Sequence, residues 1–155
     1  MKNNQASFTS SDPKGPLQSS MNHVPRILVV EDDVDIRQTN TELLMRFGYQ
    51  VDSAEDGAAG WAALRVSHYD LVITDNNMPK VSGLEMVDKL RAAHMPLPVI
   101  LASGGTSDEE LNDHPSLHLS ANLQKPFTGT ELLETVREVL AKEMGSDQIG
   151  AVSAG

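Results

Sequence analysis

The chain has 155 residues, with 22 Asp and Glu against 12 Lys and Arg, a formal net charge of −10, and no cysteine. That length suits one domain with some chain to spare. The charge excludes a nucleic-acid surface, whose affinity comes from Lys and Arg neutralising phosphates. The missing cysteines exclude disulfides, thiol catalysis and thiolate-held zinc.

No apolar run approaches the roughly 18 residues a membrane span needs, and the amino terminus lacks the apolar stretch of a secretion signal, so a cytoplasmic protein without membrane contact is expected. Residues 1–24 are rich in Ser, Asn, Gln and Pro, with Phe8, Leu17 and Met21 as almost the only large apolar groups. So little apolar surface does not offset the entropy of ordering, and a flexible arm is expected there. The domain itself is expected over 25–144, followed by a small, polar, flexible tail over 145–155.

Within the domain, apolar runs alternate with helical patterns. Ile27-Leu28-Val29-Val30 reads as a strand that ends in Glu31-Asp32-Asp33, with Asp33 placed to cap the helix that follows. Ile36, Leu43, Leu44 and Phe47 recur at helical spacing, and Gly48 sits where a left-handed residue would end that helix. Gln50–Ala54 is the second strand, and Gly57–Ser67 a helix burying Trp61 and Leu64. Leu71–Asp75 is the third and central strand, and Gly83–Ala93 a helix with Leu84, Val87 and Leu90 inward. Val99–Ala102 is the fourth strand, ending in Ser103-Gly104-Gly105. The next helix opens on the capping box Thr106-Ser107-Asp108-Glu109 and meets Pro115 within about two turns, so it should be short or irregular. A weaker fifth run ends in Lys125-Pro126, and Thr128-Gly129-Thr130-Glu131 caps a last helix with Leu132, Leu133, Val136 and Leu140 on one stripe. The alternation predicts the α/β class: a doubly wound, five-stranded parallel sheet with helices on both faces.

Parallel strands deliver their carboxyl ends to one crevice, where open α/β sheets place ligands. Here that crevice collects Glu31, Asp32 and Asp75 with Ser103 and Lys125. Clustered carboxylates repel one another unless a cation joins them or one takes up a proton. Magnesium, held by one or two carboxylates and completed by water and phosphate oxygens, suits Asp32 and Asp75 better than a calcium cage does. A carboxylate is also a nucleophile toward phosphorus, giving an acyl phosphate, and such chemistry needs positive charge of the kind Lys125 supplies.

These residues give the chain, from Arg26 to Met144, a resemblance to the receiver domain of two-component response regulators. It rests on the acidic pair after the first strand, on Asp75-Asn76-Asn77-Met78-Pro79-Lys80-Val81-Ser82-Gly83, on Ser103 after the fourth strand, and on Lys125-Pro126-Phe127. The resemblance implies a flavodoxin-like receiver fold, Asp75 as phosphoacceptor, and Glu31 and Asp32 as magnesium-holding acids. It also implies Asn77 as a metal ligand through its carbonyl, Ser103 as the switch hydroxyl, Lys125 as the phosphate-contacting lysine, and a cis Lys125-Pro126 peptide. A sensor histidine kinase or histidine phosphotransfer protein would be the phosphodonor, and an unknown protein the downstream partner. The chain would then be a regulatory domain and not an enzyme. It departs from the family at Asn122, where most receivers carry Tyr or Phe, and in the short helix before Pro115.

Two other readings start from the same residues. A receiver-like binding module that works without phosphorylation would explain the departures but not the intact acids and lysine. A magnesium-dependent phosphatase using Asp75 or Asp33 is suggested by Asp33-Val34-Asp35, but that pair lies past the strand end. The histidines at 23, 68, 94, 114 and 118 show no metal-binding spacing, and none of them is read as a ligand or phosphodonor.

Overall fold

A computed structural model describes residues 23–104 and 115–154, with side chains described as far as Glu143. Its strands are β1 (Arg26–Val30), β2 (Gln50–Ala54), β3 (Leu71–Asp75), β4 (Val99–Ser103) and β5 (Ala121–Gln124). Its helices are α1 (Val34–Arg46), α2 (Gly57–Val66), α3 (Gly83–Ala92) and α4 (Gly129–Ala154), with a 3-10 turn at Pro115–Leu117. All pairings are parallel, in the order β2-β1-β3-β4-β5.

Because strand side chains alternate, the sheet feeds two apolar layers. On one face Ile27, Val29, Leu71, Ile73 and Ile100 pack with Leu44 of α1 and with Leu132, Val136 and Leu140 of α4. On the other, Leu28, Val30, Val72 and Val99 pack with Leu64 of α2 and with Met86, Val87 and Leu90 of α3. Each fully buried side chain of this size contributes roughly 1.5–3 kcal/mol of transfer free energy. β3 and β4 are buried along their whole length, which is why they read as unbroken apolar runs and not as alternating ones.

Helix ends follow local chemistry. Asp33 accepts from the backbone N–H groups of Asp35 and Ile36 at the start of α1, and Asp56 does so from Ala59 at the start of α2. Thr128 and Glu131 form the expected reciprocal box before α4, at 2.8 and 3.0 Å. Gly48 lies at φ +98°, the left-handed conformation that ends α1 without a Cβ penalty.

Two differences from the sequence reading stand out. Of the apolar set on the first helix, Leu44 is buried and Leu43 half-buried, while Ile36 and Phe47 are exposed. Those two occupy the first turn and the carboxyl cap, at the extremities of the helix. The backbone of α4 continues through the expected tail to Ala154, since Gly145 and Gly150 lower helix propensity without breaking it as proline would. The expected helix after Thr106 lies outside the described residues, which resume at the 3-10 turn; the arm over 1–22 also lies outside them.

Candidate phosphoacceptor site

In this strand order the chain reverses direction across the sheet between β1 and β3, and a crevice opens at their carboxyl ends. Asp75 is the last residue of β3 and is only 4% exposed. Glu31, one residue beyond β1, is equally buried, and Asp32 beside it is exposed. One oxygen from each of the three carboxylates lies within 4.8 Å of the others. Lys125 reaches in from the end of β5, with Nζ 3.1 Å from Glu31 Oε1 and 3.2 Å from Asp75 Oδ1. A cis Lys125-Pro126 peptide follows it, as the motif implied.

The surrounding backbone holds these groups in place. The Asn77 N–H donates to Asp75 Oδ1 at 3.3 Å, and the Thr74 hydroxyl donates to the Asp75 carbonyl at 3.0 Å. Arg37 donates from Nη1 to the Glu31 carbonyl at 2.7 Å, fixing the acidic turn, and the Lys125 N–H donates to the Ser103 carbonyl at 3.0 Å. Gly83 explains the last position of its motif. A Cβ there would stand 2.4 Å from the Asp75 carbonyl oxygen, so α3 can begin this close to the strand end only with glycine.

Electrostatics follow from burial. Desolvation pushes the Glu31 carboxyl up to about 7; the Asp33 N–H that it accepts opposes this, the Asp75 charge adds to it, and Lys125 draws it back. Burial lowers the Lys125 ammonium, but its bond to and charge from Glu31, together with those of Asp75, outweigh that and leave it above the ordinary lysine range. One lysine therefore serves two of the three acids. Ser103 is fully buried, and its Oγ has no hydrogen-bond partner among the described residues. A buried hydroxyl left so costs free energy, which a ligand oxygen arriving there would recover.

The donor set fits a hard divalent cation: oxygen ligands only, convergent and short of positive charge. The structure thus brings together Glu31, Asp32, Asp75 and Lys125, joins Asn77 to Asp75 through its backbone, and gives the Ser103 hydroxyl no partner among the described residues.

Sequence reasoning missed several supports. Asn76 Oδ1 accepts the Leu84 N–H at 3.1 Å, bracing the loop after β3 against α3. Ser82 and Glu85 form a capping box that starts α3, and Ser-x-x-Glu spells it plainly. Lys80, in the left-handed region at φ +70°, pairs with the buried Asp56 at 3.7 Å.

With this geometry in hand, likeness to known proteins is informative. Residues 27–137 match the response regulator receiver domain. The chain is 36% identical over 120 residues to the probable transcriptional regulatory protein SilR of Salmonella typhimurium, covering 76% of this chain and 51% of that one. It spans about half the length of the curated relatives it matches. The signal receiver domain of a putative Luxo repressor protein from Vibrio parahaemolyticus shares the fold, with a TM-score of 0.76 at 23% identity over 82% of this chain and 98% of that one. The response regulator TrrA from Thermotoga maritima, solved in complex with Mg2+-BeF, superposes with a TM-score of 0.66 at 34% identity over 75% of this chain and 99% of that one. The match spans most of the chain, with the acids, serine and lysine at the sheet edge where the motifs put them, and the chain belongs to the response regulator receiver domain family.

Proposed function

We propose that the domain is a phosphoryl-accepting switch in a His-Asp phosphorelay and that Asp75 is the phosphoacceptor. The observation that carries this reading is the position of Asp75, buried at the β1/β3 crevice with two acids and one lysine gathered around it. An Asp75 carboxylate oxygen would attack the phosphorus of a phosphohistidine on a sensor kinase or phosphotransfer protein. The new bond is an acyl phosphate; the P–N bond breaks, and the donor imidazole leaves with the electron pair and takes up a proton.

Glu31 and Asp32, with Asp75 and the Asn77 carbonyl, would hold Mg2+, which when bound neutralises charge on the transferring group. Lys125 would leave its present partners to hold a phosphoryl oxygen, and the Ser103 hydroxyl would donate to another. Phosphorylation adds about −1.5 to −2 charges and three acceptor oxygens at this point, which is what draws those two groups in. Output would pass through protein contacts in the cytoplasm, since the acidic surface gives this chain no nucleic-acid footprint of its own.

Incubation with acetyl phosphate and magnesium, read by intact mass, tests the proposal. One phosphoryl group should add to the wild type and none to Asp75→Asn. Undiminished addition to the variant, or none to a folded wild type, refutes the assignment.

A further inference from the structure

The histidines look scattered in sequence, but the fold gathers them. His23, His68 and His118 each stand three residues before a strand (β1, β3 and β5), and His94 stands five before β4. In an all-parallel sheet every residue just ahead of a strand lies on the same edge, here the amino-terminal one, opposite the carboxylate crevice. β1 and β3 are neighbours, so His23 and His68 become neighbours too, with ring centroids 6.5 Å apart.

Between them stands Asp70. His23 Nε2 is 2.6 Å from Asp70 Oδ2, and His68 Nε2 is 3.9 Å from Asp70 Oδ1. Two imidazole nitrogens thus address the two oxygens of one carboxylate. The Asp70 carboxylate is also held in place, because Oδ2 accepts the Arg26 N–H at 2.8 Å. The three groups border a cavity of about 530 Å³, which His94 also lines.

We propose that His23, His68 and Asp70 form a second cation site, selective for a borderline divalent transition ion such as Zn2+ over magnesium. Imidazole with a single carboxylate favours zinc, nickel or copper, whereas the all-oxygen cluster at the other end favours magnesium. Donors to zinc sit about 2.0–2.2 Å from the ion, so His68 must swing inward to close the site. Its side chain is 83% exposed, which leaves it room for that movement. Water would complete the coordination, and His94 lines the same cavity.

Titration of the full chain with Zn2+, in excess magnesium to occupy the carboxylate crevice, tests this by calorimetry and by the ring proton signals of His23 and His68. One equivalent should bind and shift both rings, and His68→Ala and His23→Ala should each weaken binding at least tenfold, His68→Ala without changing the melting temperature in the absence of zinc. The site is overturned if zinc affinity in His68→Ala stays within twofold of wild type. It is equally overturned if binding disappears in Asp32→Ala, which would put the zinc in the carboxylate crevice, or if the wild type takes up no zinc.

Discussion

The two ends of the sheet are built on opposite principles. At the amino-terminal end, charged groups are matched to partners. Arg91 donates from Nε to the Leu117 carbonyl at 2.7 Å, from Nη1 to those of Met95 and Leu97 at 2.7 and 2.8 Å, and from Nη2 to that of His118 at 3.2 Å. Asp52 accepts from Arg26 and from the Tyr69 hydroxyl, each at 2.6 Å, and Arg26 lies 4.9 Å over the Tyr69 ring. At the carboxyl-terminal end, three acids lie together with one lysine that pairs with two of them, and a buried hydroxyl has no partner among the described residues. Polar groups at the first end hold the fold together, and those at the second are kept available at a cost in stability. A carboxyl raised as far as that of Glu31, set in a cleft beside other acids, is a usual mark of a functional site.

Three substitutions would break or sharpen this contrast. The largest effect should come from Arg91→Ala, which leaves four carbonyls that one guanidinium now serves. A loss of roughly 3 kcal/mol is expected in urea unfolding, from the cost of stranding partly buried acceptors. Arg91→Lys should recover only part of it, since an ammonium lacks the planar fork. A loss below about 1 kcal/mol would show that water serves those carbonyls equally well.

Ser103→Ala should go the other way. Removing a buried hydroxyl that has no partner among the described residues is expected to be neutral or to raise stability by about 1 kcal/mol. Destabilisation by that amount would mean that the hydroxyl already has a partner, and the contrast between the ends would fail.

The effect most informative in its pH dependence belongs to Tyr69→Phe. Burial, then the bond to Asp52 and that residue's charge, raise the Tyr69 hydroxyl from 10.0 to about 12. The folded state thus favours the protonated phenol. This contribution is complete below pH 10 and is lost as pH rises through about 12. In return, the Tyr69 bond, helped by Arg26 and opposed by burial, lowers the Asp52 carboxyl below its ordinary 3.8. That contribution is present above the ordinary value and disappears as pH falls through the lowered one. Wild type should exceed the variant by about 1 kcal/mol at pH 7, with the gap closing at both extremes. A gap that holds steady to pH 12 would show that the hydroxyl bond is not its source.

How much of this was legible in the sequence depended on how far apart the cooperating residues stand. Strands announced themselves as apolar runs, and Asp75 as the acid ending the central one, because each is a local pattern. The capping boxes at Thr128 and Ser82 follow one rule of spacing, though only the first was read from it. The Arg91 clamp had no such signal, since its acceptors at Leu117 and His118 lie 26 and 27 residues away. The Asn76 bond to Leu84 crosses a loop where no periodicity operates. The histidines fall between these cases: counting residues between them reveals nothing, whereas counting back from each parallel strand places all four described ones at a single edge.

Lys125 gives the crevice a property beyond charge balance. Its ammonium spans Glu31 and Asp75 at 3.1 and 3.2 Å, standing in as a tethered monovalent ion. A metal ion entering there exchanges with an occupant and does not fill a vacancy, so its net gain is the difference between two cations. Such a site would bind loosely and would discriminate by charge density, favouring an ion that can do more for the acids than one ammonium does. The displaced lysine tip is then a free hand, already at the site, for whatever anion comes next.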